Sequence, residues 1–292
     1  MKECPGKYTL AIIIIKKKKG RQSIYPVKTI NSTNKVSILG VDISNTSSEE
    51  AIALMEELFG HDGETIHPIY IVNAHTLNLA AEQSDYHAVL TGAYRVFGDG
   101  TGVRWAARQR GVRMKDNLVG TDLVPNLFGA TAGRGYRYFL LGADPDSIEC
   151  AARHCEKSYP GWVLAGYSHG YLDKEASNRV IAKINAAEPH LLLVGMGNPM
   201  QEQWIDKYRD QLKVPVAIGV GGLFDHWAGN LNRAPVWVRK LGYEWLQLLL
   251  QQPHKWRRYI LGNPKFLFRM TRYAADEKDS GIKESLPRPG DS

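Results

Sequence analysis

Residues His190 to Gly222 read "HLLLVGMGNPMQEQWIDKYRDQLKVPVAIGVGG". The apolar runs Leu191–Val194 and Val216–Val220 are too short for helices and show no polar alternation, so each reads as a strand buried on both faces. "PMQEQWIDKYRDQL" between them reads as a helix, and strands joined through a helix run parallel. Upstream the alternation repeats: strand "YRYFLLGA" from 136, helix "DPDSIECAARHCEKSYP", strand "GWVLAGYSHGY" and helix "KEASNRVIAKINAAEP". Further back, "KVSILGVDIS" reads as one strand and "SSEEAIALMEELFG" as a helix with a Ser/Glu start and a glycine stop. "IHPIYIVNAH" and "RVFGDG" are strands, with helices over "TLNLAAEQ", "DYHAVLTGAY", "GVRWAARQR" and "TDLVPNLFGATAG". The predicted architecture is α/β: a Rossmann-like, largely parallel sheet with helices on both faces, over residues 35–232.

With 292 residues, 43% of them hydrophobic and 23% charged, the chain can bury a substantial core. Its net charge of +7 is unevenly spread: +7 on residues 1–28, +8 on 233–273, −2 on 274–292, and hence −6 on 29–232. An acidic body with a basic, aromatic-rich segment near its end suits a localised anionic partner such as lipid headgroups, and no nucleic acid is expected.

Residues 1–34 read as a basic, disordered extension. Their apolar run, Leu10–Ile15, falls far short of the roughly 20 residues that cross a bilayer, and the lysines follow it, the reverse of a secretory signal. Residues 233–273 read as a helical, membrane-associating appendage. Trp237, Leu241, Trp245, Leu248 and Leu249 recur at helical spacing, and after Pro264 the residues Lys265, Arg269 and Arg272 share a face beside Phe266, Met270 and Tyr273. A basic helix packed on the body is the alternative. Residues 274–292 are a polar tail.

In parallel α/β folds ligands collect beyond the carboxyl ends of the strands. "LLGADPD" and "VGMGNPMQEQW" each run from strand through glycine (Gly142; Gly195 and Gly197) into a helix start, where backbone N–H groups favour an anion such as phosphate. Neither is a Walker A loop or a full dinucleotide fingerprint. Cys4, Cys150 and Cys155 have no metal-ligand spacing, "DPD" at 144–146 reads as helix-capping acids, and no cofactor or metal is expected.

Eight motifs occur in one order: "NAHTLNLA" from 73, "FGDGTGV" from 97, "GTDL" from 120, "FLLGA" from 139, "HGY" from 169, "VGMGNPMQEQW" from 194, "GVGGLFDHWAG" from 219 and "NRAPVWVRKLGYEWLQLLLQQP" from 232. In this the chain resembles the WecG/TagA/CpsF family of bacterial glycosyltransferases over about residues 36–270. The resemblance implies a metal-independent, inverting enzyme. It would move a sugar from a UDP-sugar to a polyprenyl-diphosphate-linked saccharide in cell-envelope and exopolysaccharide synthesis, at the cytoplasmic face of the membrane. It places the proposed base on Asp99 and an acceptor-side asparagine on Asn73. Teichoic-type members carry Thr two residues before that asparagine, whereas this chain has Ile71. Glucose, N-acetylmannosamine and its uronic acid all remain open as the sugar.

Asp99, beside Gly100 at a strand end, can take the proton of an attacking hydroxyl; the alternative is that it caps the helix starting near Thr101. A departing UDP needs positive charge or N–H donors. Arg233, Arg257 and Arg258 could supply the first, and the turns at 195–198 (with Asn198) and 219–222 (with Gly221 and Gly222) the second. Gln201 and Glu202 are helix first-turn residues or hold the nucleotide's ribose or base. Asp225 binds donor hydroxyls or pairs with an arginine, and His169 and His226 read as structural. Two other classes compete: a nucleotide-binding oxidoreductase on the same sheet, for which "VDISNTSSEE" lacks the glycines, and a non-enzymatic anionic-polymer-binding protein, which the acidic body disfavours.

Overall fold

A computed structural model describes residues 34–279 except 62, 236–237, 239–243 and 254–255. Apart from Asn34, the expected extension over 1–34 lies outside the described residues, as do Trp237, Leu241 and the tail beyond 279.

The strands are β1 (Lys35–Ile38), β2 (Val41–Ser44), β3 (His67–Val72), β4 (Arg95–Gly98), β5 (Arg137–Gly142), β6 (Val163–Ser168), β7 (Leu191–Gly195) and β8 (Val216–Gly219). They form one sheet in the order β1-β2-β4-β3-β8-β7-β5-β6. Every pairing is parallel except β1 with β2. The single strand expected over "KVSILGVDIS" is therefore a hairpin. Leu39 and Gly40 take φ of 51° and 78°, the two positive values of a tight turn whose twist matches its strands.

Both faces of the sheet are covered, as the unbroken apolar runs require. In β7, Leu192 and Val194 enter one core and Leu191 and Leu193 the other. The first core is closed by α2 (Ala74–Glu82), α3 (Ser84–Thr91), α4 (Gly100–Gln109), α7 (Lys174–Ala187) and α8 (Met200–Lys207). The second is closed by α1 (Ser48–Leu58), α5 (Gly120–Ala130), α6 (Pro145–Ser158) and α9 (Leu223–Trp227). Helix starts follow the capping chemistry read from the sequence. Ser47 and Glu50 form a capping box on α1, and the Asp144 carboxylate accepts from the N–H of Asp146 and Ser147 at 3.1 and 3.0 Å.

Beyond the sheet lie α10 (Glu244–Gln251), a π-helical turn at Arg257–Leu261, and α11 (Gly262–Asp279). Helix α11 packs on the body. Phe266 and Met270 are buried in the first core, the Asn78 side-chain amide donates to the Gly262 carbonyl at 2.8 Å, and Arg269 and Lys265 both pair with Glu82 at 2.7 Å. The basic face read from the sequence thus meets α2 at Lys265 and Arg269, where Glu82 offers them a carboxylate, and Lys265 stays exposed beside it. Among the residues that α11 and the turn before it leave exposed are the large apolar side chains Trp256, Ile260, Leu261, Leu267 and Phe268, together with Arg257, Lys265 and Arg272. Among the described residues no helix is long and apolar enough to cross a membrane.

Candidate active site

Strands β3 and β8 are neighbours where the two halves of the sheet meet. Connections leave this point in opposite directions, and a cleft opens past the strand ends, as in other doubly wound sheets. A cavity of about 850 Å³ fills it. Much of its lining comes from the residues that follow four strands: Asn73 after β3, Asp99 and Gly100 after β4, Gly197 and Asn198 after β7, and Gly221 and Gly222 after β8.

Asp99 is half-buried in this lining, and its backbone N–H donates to the Val72 carbonyl at 2.8 Å, tying the ends of β3 and β4 together. Although it occupies the N-cap position of α4, its side chain makes no cap hydrogen bond. Asn117 does that work instead, its side-chain oxygen accepting from the Gly100 N–H at 2.6 Å. Asn73 caps α2 through its side-chain oxygen, which accepts from His75 N–H at 3.0 Å and Thr76 N–H at 3.2 Å. That fixes the amide at the cavity edge. Ile71 puts an apolar side chain in the same wall.

The loops after β7 and β8 are braced from below. Glu202 is fully buried, and its carboxylate accepts from Asn198 Nδ2 at 2.6 Å, Gln201 Nε2 at 2.7 Å and the Tyr86 hydroxyl at 3.1 Å. Burial pushes its pKa above the ordinary carboxyl value despite these donors. Gln201 in turn accepts from the Gly221 N–H at 3.0 Å. Gln201 and Asn198 line the cavity; Glu202 lies behind them. Asp225 is in the lining as well, as is His226, whose ring nitrogen Nδ1 lies 3.1 Å from the Leu231 carbonyl.

Other expected residues lie elsewhere. Gly142 and Gly195 are outside the lining and allow close packing, Gly142 against strand β7 and Gly195 against α9. A Cβ on Gly142, at φ +147°, would lie 2.3 Å from the Gly195 carbonyl oxygen, and one on Gly195 would lie 2.6 Å from the Phe224 ring. Arg233 is also outside the lining and forms a two-pronged pair with Asp122, at 3.0 Å for Nη2 to Oδ2. Arg257 is exposed beside the Trp256 ring, 5.5 Å from its centroid. Of the three candidate arginines only Arg258 reaches the cavity. The sequence reading missed Arg104 and Arg108, which line it from α4. Among the described residues no three His, Cys, Asp or Glu side chains gather in a way that could hold a metal ion.

Comparison with known proteins adds a family and named relatives. A family model described as "Glycosyl transferase WecG/TagA/CpsF family" matches residues 36–280. An N-acetylglucosaminyldiphosphoundecaprenol N-acetyl-beta-D-mannosaminyltransferase of Bacillus subtilis (strain 168) is 33% identical over 221 residues, 76% of this chain and 83% of that protein. A protein of the same name from Staphylococcus aureus (strain MW2) is 30% identical over 248 residues, 84% of this chain and 96% of that protein.

Proposed function

The chain belongs to the WecG/TagA/CpsF family of glycosyl transferases, and on that premise we propose that it moves a sugar, with inversion and without a metal, from a UDP-sugar to a polyprenyl-diphosphate-linked saccharide. The membrane's inner face would be the place of reaction, reached peripherally. The chain is a glycosyltransferase; the oxidoreductase and polymer-binding readings give way to the family. The names of the relatives make N-acetylmannosamine the first donor sugar to test and N-acetylglucosaminyl-diphospholipid the first acceptor.

The observation that carries this reading is Asp99, set in the cavity wall with its helix capped by another residue. A sugar hydroxyl is a poor nucleophile near neutral pH, and a carboxylate within hydrogen-bond reach takes its proton as the new bond forms. The acceptor oxygen bonds to the anomeric carbon, the bond from that carbon to UDP breaks, and UDP leaves with the electron pair. One displacement inverts the centre, in keeping with an α-linked nucleotide sugar and the β-linked products that the relatives' names print. Arg258 and the N–H groups of the glycine turns would meet the charge on the leaving diphosphate, while Asn198, Gln201 and Asp225 would hold the donor and Asn73 the acceptor sugar.

The test is transfer from a panel of UDP-sugars to farnesyl-diphosphate-linked N-acetylglucosamine, with product configuration read by NMR. A β-linked disaccharide formed equally well in EDTA is expected. An α-linked product, or activity lost to EDTA and restored by Mg²⁺, would overturn the inverting or the metal-independent part.

A further inference from the structure

Arg104 and Arg108 stand one turn apart on α4, with the buried face of that helix formed by Val103, Ala106 and Ala107. Both are exposed and both line the cavity. Among the described residues neither has a hydrogen bond, ion pair or ring contact, and α4 itself, "GTGVRWAARQ", contains no acid. The arginines around them are engaged: Arg233 with Asp122, Arg269 with Glu82, and Arg110 with the Tyr273 ring. Two neighbouring guanidinium groups on a cavity wall repel one another, an anion between them relieves that repulsion, and forked donors suit phosphoryl oxygens.

Their place along the helix says which anion. From Asp99 at the helix start, Arg104 lies about 7.5 Å and Arg108 about 13.5 Å along the axis, at 1.5 Å per residue. An acceptor whose hydroxyl sits at Asp99 would span one sugar ring and then carry its diphosphate alongside these two residues. Helix α11 packs next to α4, with Phe266 beside Gly102, and it goes on to the exposed apolar Leu267 and Phe268. The carboxylate, the paired cations and an apolar surface are thus brought together on the neighbouring helices α4 and α11, as an acceptor with a hydroxyl, a diphosphate and a polyprenyl chain requires. On the function proposed above, the nucleotide's diphosphate would lie instead among the loops after β7 and β8.

We propose that Arg104 and Arg108 form a subsite for the lipid-linked diphosphate of the acceptor, distinct from the site of the nucleotide diphosphate. This rests on the acceptor class proposed above. The test is calorimetric binding of farnesyl diphosphate and, separately, of UDP, to the full-length protein and to Arg104→Gln, Arg108→Gln and the double variant. Both side chains are exposed, so the variants should fold. The expected result is a several-fold loss of farnesyl diphosphate affinity in each single variant and at least tenfold in the double one, with UDP affinity unchanged. Unchanged farnesyl diphosphate affinity, or an equal loss for UDP, would overturn the assignment. Wild-type protein that binds farnesyl diphosphate through these arginines but transfers no sugar would retain the subsite and refute the proposed reaction.

Discussion

Asp99 is asked to accept a proton, so its charge and not its shape should matter. Asp99→Asn keeps the size and leaves the Asn117 cap in place, so transfer should fall by roughly 10²-fold or more while UDP binding persists; near-normal turnover would remove the base assignment. Glu202 makes a different prediction. Its carboxyl is fully buried and its pKa lies above the ordinary 4.5, so the stability tied to its protonated form is complete below 4.5 and is lost as pH rises through the raised value. Glu202→Gln has no such titration. Urea melts should therefore show the variant's stability deficit shrinking as pH climbs from 4.5, and a deficit that is constant or widens would contradict the assignment. Asp99 and Asn73 were singled out by the family resemblance, because a polar residue just past a strand reads equally well as a helix cap, which Asn73 also is. Arg104 and Arg108 were not, since a charged helical face has the same spacing whether it meets solvent or a cavity. Gly142 and Gly195 were legible as necessary glycines but not as to their reason. A missing Cβ serves a bound phosphate and a packed neighbour alike, and here it serves the neighbouring strand at Gly142 and the Phe224 ring at Gly195.

The strand pair β5–β7 turns that last point into a measurement. Leu141 pairs with Val194 and Gly142 with Gly195, and a methyl group on Gly142 would strike the Gly195 carbonyl from a backbone conformation that side chains rarely adopt. Gly142→Ala should cost more than about 3 kcal/mol in a chemical melt; a cost under 1 kcal/mol would mean that the strands can separate there freely. Element types came through from periodicity because strands buried on both faces and capped helices carry strong local signals. The β1–β2 hairpin did not, because Leu39 is an unusual residue at positive φ and left the apolar pattern unbroken across the turn. The docking of α11 was half legible. Phe266 and Met270 announce an apolar face, but only the fold reveals that the first core, with Ala74 and Gly102 close by, receives it.

At the scale of the whole molecule, the cavity joins the two halves of the sheet to a helical edge that exposes both large apolar and basic side chains. That edge cannot be a detachable anchor, because α11 contributes Phe266 and Met270 to the same core that underlies α4. Membrane contact, if it brings the acceptor to Asp99, must therefore use what α11 leaves outside. Lys265 and Arg269 are held by Glu82, so the attraction should come chiefly from Trp256, Ile260, Leu261, Leu267 and Phe268, of which Phe268 is 66% exposed. Changing Leu267 and Phe268 together to Ser touches no buried side chain and should leave the thermal midpoint close to that of the wild type. Each lost apolar side chain removes up to about 1.5–3 kcal/mol of insertion free energy, so sedimentation with vesicles of phosphatidylglycerol and phosphatidylcholine should show binding weakened at least tenfold. A contact that is apolar in origin should also survive a rise from 0.1 to 0.5 M NaCl in the wild type better than a purely electrostatic one, whose range shrinks with the Debye length. Transfer to a water-soluble, short-chain acceptor should be unaffected in the double Ser variant, while transfer to long-chain acceptor in vesicles should fall with binding. Full vesicle binding by that variant, or wild-type binding abolished by salt, would return the role to the basic residues of the segment and separate the apolar edge from the reaction.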